Sequence, residues 1–186
     1  MDIEQIRSAL TSEIHTVPIS ELVGNHLASV LIIIYGNDPF IIMTKKARNL
    51  KVHAGEIAFP GGKWCEKETA EETAIRETKE ELGLEVSKEQ IIGQLDNVVT
   101  LNSNYNITPF VSILDNVPSL VANSEVESIL HIPLVSFLNT IDEDEIPEHR
   151  SINEMYTFTF EKHIIWGASA RMLRQIFMLL SEKKLL

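Results

Sequence analysis

The chain holds a single cysteine, Cys65, in 186 residues. One thiol can form neither an intramolecular disulfide nor a multi-cysteine zinc site, so the sequence reads as that of a reducing compartment. Positive charge is scarce too. Sixteen Lys and Arg stand against 27 Asp and Glu, a formal net charge of -11, and such a field repels polyphosphates and anionic membranes. No basic stripe with interleaved aromatics is present, which argues against a nucleic-acid partner. A phosphorylated substrate would therefore need cations placed locally. Long hydrophobic runs are also missing: the most apolar, ASVLIIIY over 28–35, is eight residues, whereas a membrane helix needs about 20. The N-terminal MDIEQIRSALTSEI is charged and helix-like and lacks the pattern of an export signal. The expectation is a cytoplasmic protein. With 44% hydrophobic and 23% charged residues and no break in composition, one globular domain over 1–186 is expected.

Two β-branched runs, 28–35 and 40–44, flank Gly36-Asn37-Asp38-Pro39 and read as strands joined by a tight turn. Residues 45–55 are basic and aperiodic, a loop carrying Lys45, Lys46, Arg48 and Lys51; a short strand EIAF then runs into Pro60-Gly61-Gly62. Helix is expected over 69–82, because Thr69 and Glu72 make a capping box and Gly83 stands where a left-handed C-terminal residue is wanted. Further strands are expected over 91–99, 107–114, 126–131, 155–160 and 163–166, a short helix over 133–138 and an amphipathic one over 168–183. This mixture implies a mixed sheet covered by helices on both faces.

Glu77, Glu80 and Glu81 crowd into that central helix. At about 100° per residue, Glu81 lies about 40° from Glu77 and Glu80 about 60° to the other side, beside the apolar stripe of Ala74, Thr78 and Leu82. Like charges so close repel. A divalent cation relieves the repulsion, and hard oxygen donors suit Mg²⁺ or Mn²⁺. A solvated acidic face is the ordinary explanation of such a cluster; here the wider spacing argues against it. From Gly62 through Glu68, Arg76 and Glu77 to Leu84 the chain reads G-x5-E-x7-R-E-U-x-E-E-x-G-U, with U a bulky aliphatic.

This stretch resembles the signature of the Nudix hydrolases, departing from it only at Thr78 in the first U position. The resemblance implies an α/β fold, an α/β/α sandwich with a mixed β-sheet and a catalytic loop-helix-loop, and Mg²⁺- or Mn²⁺-dependent hydrolysis of a nucleoside diphosphate linked to another group. It puts Glu77, Glu80 and Glu81 on metal-binding positions, with the Gly61 carbonyl as a further ligand, and Arg76, Glu68 and Gly83 on orienting and structural ones. Glu77 and Glu81, with Arg76, form the catalytic set. Glu77 is the first choice of general base, while Glu125, Glu143 and Glu145 stay open as bases supplied from a distant loop.

The flanking sequence resembles the Nudix branch that cleaves coenzyme A, L-L-T-x-R-[SA]-x3-R-x3-G-x3-F-P-G-G. Ile42, Met43, Thr44, Lys46, Ala47, Lys51, Gly55 and Phe59 to Gly62 keep its spacing, with lysines in place of both arginines. Lysine keeps the charge but loses the planar fork that grips phosphate. Lys46, Lys51, His53 and Gly62 are the expected substrate contacts. The implied reaction releases 3′,5′-ADP and 4′-phosphopantetheine or its acyl form; ADP-ribose, NADH and nucleoside triphosphates stay open, as does a domain that binds without cleaving. Cys65 has no base placed for it, no histidine pair has metal-ligand spacing, and Trp64 and Trp166 read as packing residues before nucleobase platforms. Homodimerisation through a sheet edge or the C-terminal helix is open.

Overall fold

A computed structural model describes residues 2–14, 26–65, 67–101, 103–143 and 155–186. Its centre is the pair β1 (His26–Tyr35) and β7 (Tyr105–Leu114), which run parallel in unbroken register from His26 opposite Tyr105 to Tyr35 opposite Leu114. Around them, β2 (Phe40–Lys46) and β8 (Val126–Pro133) extend one side of the sheet, and β5 (Ile91–Gln94) and β6 (Val98–Val99) add to β7, all antiparallel. The sheet is thus mixed, as expected.

Alternation along β1 decides what covers each face. Leu31 and Ile33 pack with Ile42, Phe110 and the apolar side of α2 (Ala70–Leu82), including Ala74 and Leu82. Ile32 and Ile34 point the other way, into a second cluster with α1 (Ile3–Leu10), α3 (Leu134–Leu138) and α4 (Gly167–Glu182). Period-two geometry makes this separation automatic: a strand buried on both faces is apolar at every position. A small sheet of β9 (Asp142–Glu143), β10 (Tyr156–Phe160) and β11 (His163–Ile165) joins the second layer through Phe158 and Ile165. Among the described residues no helix is long and apolar enough to cross a membrane.

The sheet is split where the segment leading into α2 leaves it. β1 pairs with β2 only near the turn, at Ile34 and Tyr35. Beyond that the two strands diverge, and β3 (Ile57–Ala58) pairs with β2 while β4 (Gly61–Lys63) pairs with β1. Gly61 and Gly62 are therefore strand residues. A Cβ on Gly61 would lie 2.3 Å from the Ser29 carbonyl oxygen and 2.6 Å from Val30 Cα, so only glycine lets β4 lie this close to β1.

Two expectations need correction. β2 extends through Lys45 and Lys46, which were expected in the loop, because β3 and β8 supply partners on both sides. The strand expected over 91–99 is two strands: Gln175 of α4 accepts from the Asp96 amide at 2.9 Å and donates to its carbonyl at 3.1 Å, replacing the ladder there. β9 and a 3₁₀ turn at Lys88–Gln90 add to the elements expected from the sequence.

Candidate active site

Helix α2 is fixed at both ends by local chemistry. Thr69 accepts from the Glu72 amide and Glu72 accepts from the Thr69 amide, closing the capping box. At the other end Gly83 adopts φ 66° and its amide donates to the Lys79 carbonyl. Thr78 faces the core at the position where the signature has an aliphatic residue. Its hydroxyl donates to the Ala74 carbonyl at 2.8 Å, so the polar atom is satisfied inside the helix.

Arg76 organises the acidic face. Its guanidinium grips Glu68 through two hydrogen bonds, Nε to Oε1 at 2.8 Å and Nη2 to Oε2 at 3.2 Å. Nη1 reaches Glu77 at 2.8 Å and Glu80 at 3.2 Å, and Nη2 also donates to the Lys63 carbonyl at 3.3 Å. Thr73 completes the shell of Glu68 with a 2.9 Å hydrogen bond, a contact that sequence reading missed. The Arg76 hydrogen bonds hold the Glu68 carboxyl below the ordinary carboxylate range, and those of Glu68 push the Arg76 guanidinium up. Planar, five-donor arginine is the residue that can tie three carboxylates and a backbone carbonyl in one place.

Glu77 points at Gly62. A Cβ there would meet the Glu77 carboxylate at 2.4–2.6 Å, so glycine leaves the room the side chain occupies. Glu81 is 2% exposed. Its Oε1 accepts from Lys46 Nζ at 2.5 Å, and its Oε2 is buried without a partner. Burial pushes its carboxyl above the ordinary range; Lys46 acts against that shift, and the charges of Glu77 and Glu125 add to it. Nothing local announced the Lys46–Glu81 pair, whose members are 35 residues apart in the chain.

The loop that carries Glu125 docks on the end of α2: the Val121 and Asn123 amides donate to the Leu82 and Glu81 carbonyls at 2.9 and 3.1 Å, and Glu125 itself is exposed. The Glu125 carbonyl accepts from the Ala47 amide at 2.9 Å, tying this loop to the basic one. Glu143 sits instead on β9, in the layer behind the sheet, and Glu145 lies outside the described residues. In the basic loop, Lys51 and His53 are exposed, and His53 Nδ1 is 2.8 Å from Glu56. Lys45 pairs with Glu127, which also engages Arg48 at 3.4 Å. Trp64 donates to the Ser29 hydroxyl at 2.6 Å, and Trp166 remains 39% exposed.

Among the described residues no three of His, Cys, Asp and Glu are gathered as a metal cluster. Arg76 holds Glu77 and Glu80, and Lys46 holds Glu81, so each carboxylate already has a cation. The donor set nevertheless fits a hard divalent ion. It consists of carboxylate oxygens, and one of them, Glu81 Oε2, is buried and unsatisfied.

A split mixed sheet holding a capped E-x-x-E-E helix against a glycine pair defines a hydrolase of the class that cleaves diphosphates. The NUDIX domain family matches residues 25–150, and the chain belongs to it: it is a Nudix hydrolase. It is similar to Nudix hydrolase 3 of Caenorhabditis elegans, at 30% identity over 94% of this chain and 81% of that one. It is similar also to the Nudix hydrolase NudL of Photorhabdus laumondii, at 33% identity over 82% and 83%. Among solved structures it shares its fold with a MutT/nudix family protein from Enterococcus faecalis, with a TM-score of 0.62 and 14% identity over 90% of this chain and 66% of that one.

Proposed function

We propose that this Nudix hydrolase cleaves the diphosphate of coenzyme A or its thioesters, giving 3′,5′-ADP and 4′-phosphopantetheine or its acyl form. The observation that supports the substrate is how the chain from Thr44 to Gly62 closes on the carboxylate helix. The Lys46 amide donates to the Glu56 carbonyl at 2.9 Å and the Gly55 amide to the Lys46 carbonyl at 3.1 Å, so a loop bearing Arg48, Lys51 and His53 is pinned beside Lys46. In a chain of net charge -11, these are local cations for a substrate with a diphosphate and a further phosphate.

Glu77, Glu80, Glu81 and the Gly61 carbonyl would hold Mg²⁺ or Mn²⁺. Such an ion, when bound, neutralises charge on the diphosphate and lowers the pKa of an attacking water. Arg76 and Glu68 orient the helix carboxylates. Gly62 keeps the approach to Glu77 open. Lys46 and Lys51 attract the phosphates, and His53 lines the loop. For the general base, Glu125 gains on Glu77: Glu77 is engaged by Arg76, whereas Glu125 is exposed and near enough to act on the charge of Glu81.

The test is incubation of the purified protein with coenzyme A, dephospho-coenzyme A, ADP-ribose, NADH and a nucleoside triphosphate, with Mg²⁺ or Mn²⁺ and with chelator, the products being identified by mass. Fastest turnover of coenzyme A, with dephospho-coenzyme A clearly poorer, is expected. Equal turnover of the two, or preference for ADP-ribose, would replace this substrate with another diphosphate.

A further inference from the structure

Two cations serve the acidic face, and they are held very differently. Arg76 is anchored by two hydrogen bonds to Glu68, a residue outside the metal-binding carboxylates, and by others to a backbone carbonyl and to Glu77 and Glu80. Lys46 has one side-chain partner in the described structure, Glu81 Oε1. It reaches that partner from β2 on a flexible four-carbon stem, and its side chain is 14% exposed against 3% for Glu81. The other neighbouring charges on Glu81, from Glu77 and Glu125, are repulsive. A buried carboxylate with one oxygen unsatisfied is thus balanced by a single displaceable ammonium.

We propose that Lys46 stands in for the divalent cation at Glu81. When the cation binds, it takes over the carboxylate and Lys46 Nζ is released toward the mouth of the site, free to meet a substrate phosphate. This rests on the metal-site reading above and adds a coupling to it: the cation frees the lysine that the anion needs, and the anion holds the lysine away from the carboxylate that the cation needs. Such coupling is reciprocal by linkage. The lysine at this position then has a consequence that arginine would lack. A guanidinium forks onto a carboxylate through two hydrogen bonds and would compete harder with the cation.

The experiment measures Mn²⁺ binding without substrate, by the electron paramagnetic resonance of free Mn²⁺, for the wild type, Lys46→Met and Lys46→Arg. In parallel, the Lys46 Cε resonance of lysine-labelled wild type is followed through a Mg²⁺ titration. Expected are Mn²⁺ binding about ten-fold tighter in Lys46→Met than in the wild type, Lys46→Arg weaker than Lys46→Met, and a Lys46 resonance that moves in step with Mg²⁺ saturation. Equal Mn²⁺ affinities in the three proteins would overturn the proposal and leave the metal site standing. So would a Lys46 resonance that stays put at saturating Mg²⁺, which needs no variant to fold. A wild type that binds no Mn²⁺ would remove the metal site itself, and this inference with it.

Discussion

A methyl group at position 62 would land 2.4 Å from Cδ of Glu77. The backbone there is strand, paired to Ser29 of β1, so it cannot retreat, and the carboxylate must move instead. Gly62→Ala is expected to lower kcat about a hundred-fold, the scale of a 1 Å misplacement in an active site, with the melting temperature almost unchanged. Wild-type turnover from a variant shown to be folded would sink this role for Gly62. Glu68 makes a different kind of statement, about pH. Its carboxyl is held below the ordinary value first by the Arg76 hydrogen bond. The stabilisation is therefore present above the unfolded pKa and is lost as pH falls through the lower folded one. Glu68→Gln removes that titration, so the variant should lose less stability than the wild type between about pH 5 and pH 2. Denaturant melts across that range check it, and parallel acid limbs would count against it.

At the level of elements, α2 was legible because its determinants are neighbours in sequence: Thr69 with Glu72, Gly83 with Lys79, and a carboxylate spacing fixed by helical geometry. The cap itself is testable. Thr69→Ala should cost about 1 kcal/mol, a fall of roughly 2–4 °C in melting temperature for a chain of this size, and an unchanged melting curve would show that the capping box carries no weight. What escaped the sequence depends on partners far along the chain. The break between β5 and β6 is made by Gln175, 79 residues from Asp96. The strand character of Lys45 and Lys46 comes from β3 and β8, and the Gly61–Lys63 strand from the divergence of β1 and β2. In the site, spacing gave the Glu68–Arg76–Glu77–Glu80 group, but not the Lys46–Glu81 pair, and it offered Glu125, Glu143 and Glu145 without choosing. Only the three-dimensional path, which docks the Glu125 loop on the end of α2 and sends Glu143 behind the sheet, separates two of them.

For the molecule as a whole, the mixed sheet separates the layer of α2, with its carboxylates, from a bracing layer of three helices. α2 meets Leu31 and Ile33 on one face while α1, α3 and α4 meet Ile32 and Ile34 on the other. The carboxylates therefore ride on an element whose opposite side is locked into the core, and whatever binds them stabilises the entire fold by mass action. If Glu77, Glu80 and Glu81 hold a divalent ion, Mn²⁺ at 100 times its dissociation constant should stabilise the native state by about 2.7 kcal/mol. That corresponds to a rise of about 5–10 °C in melting temperature, reversed by chelator. Glu81→Gln should abolish most of the rise, because it removes the charge that the ion would neutralise. Measuring the shift needs neither substrate nor turnover, so it separates the metal site from the choice of diphosphate. A melting temperature indifferent to Mn²⁺ and Mg²⁺ would mean that the buried, unsatisfied oxygen of Glu81 awaits something other than a cation.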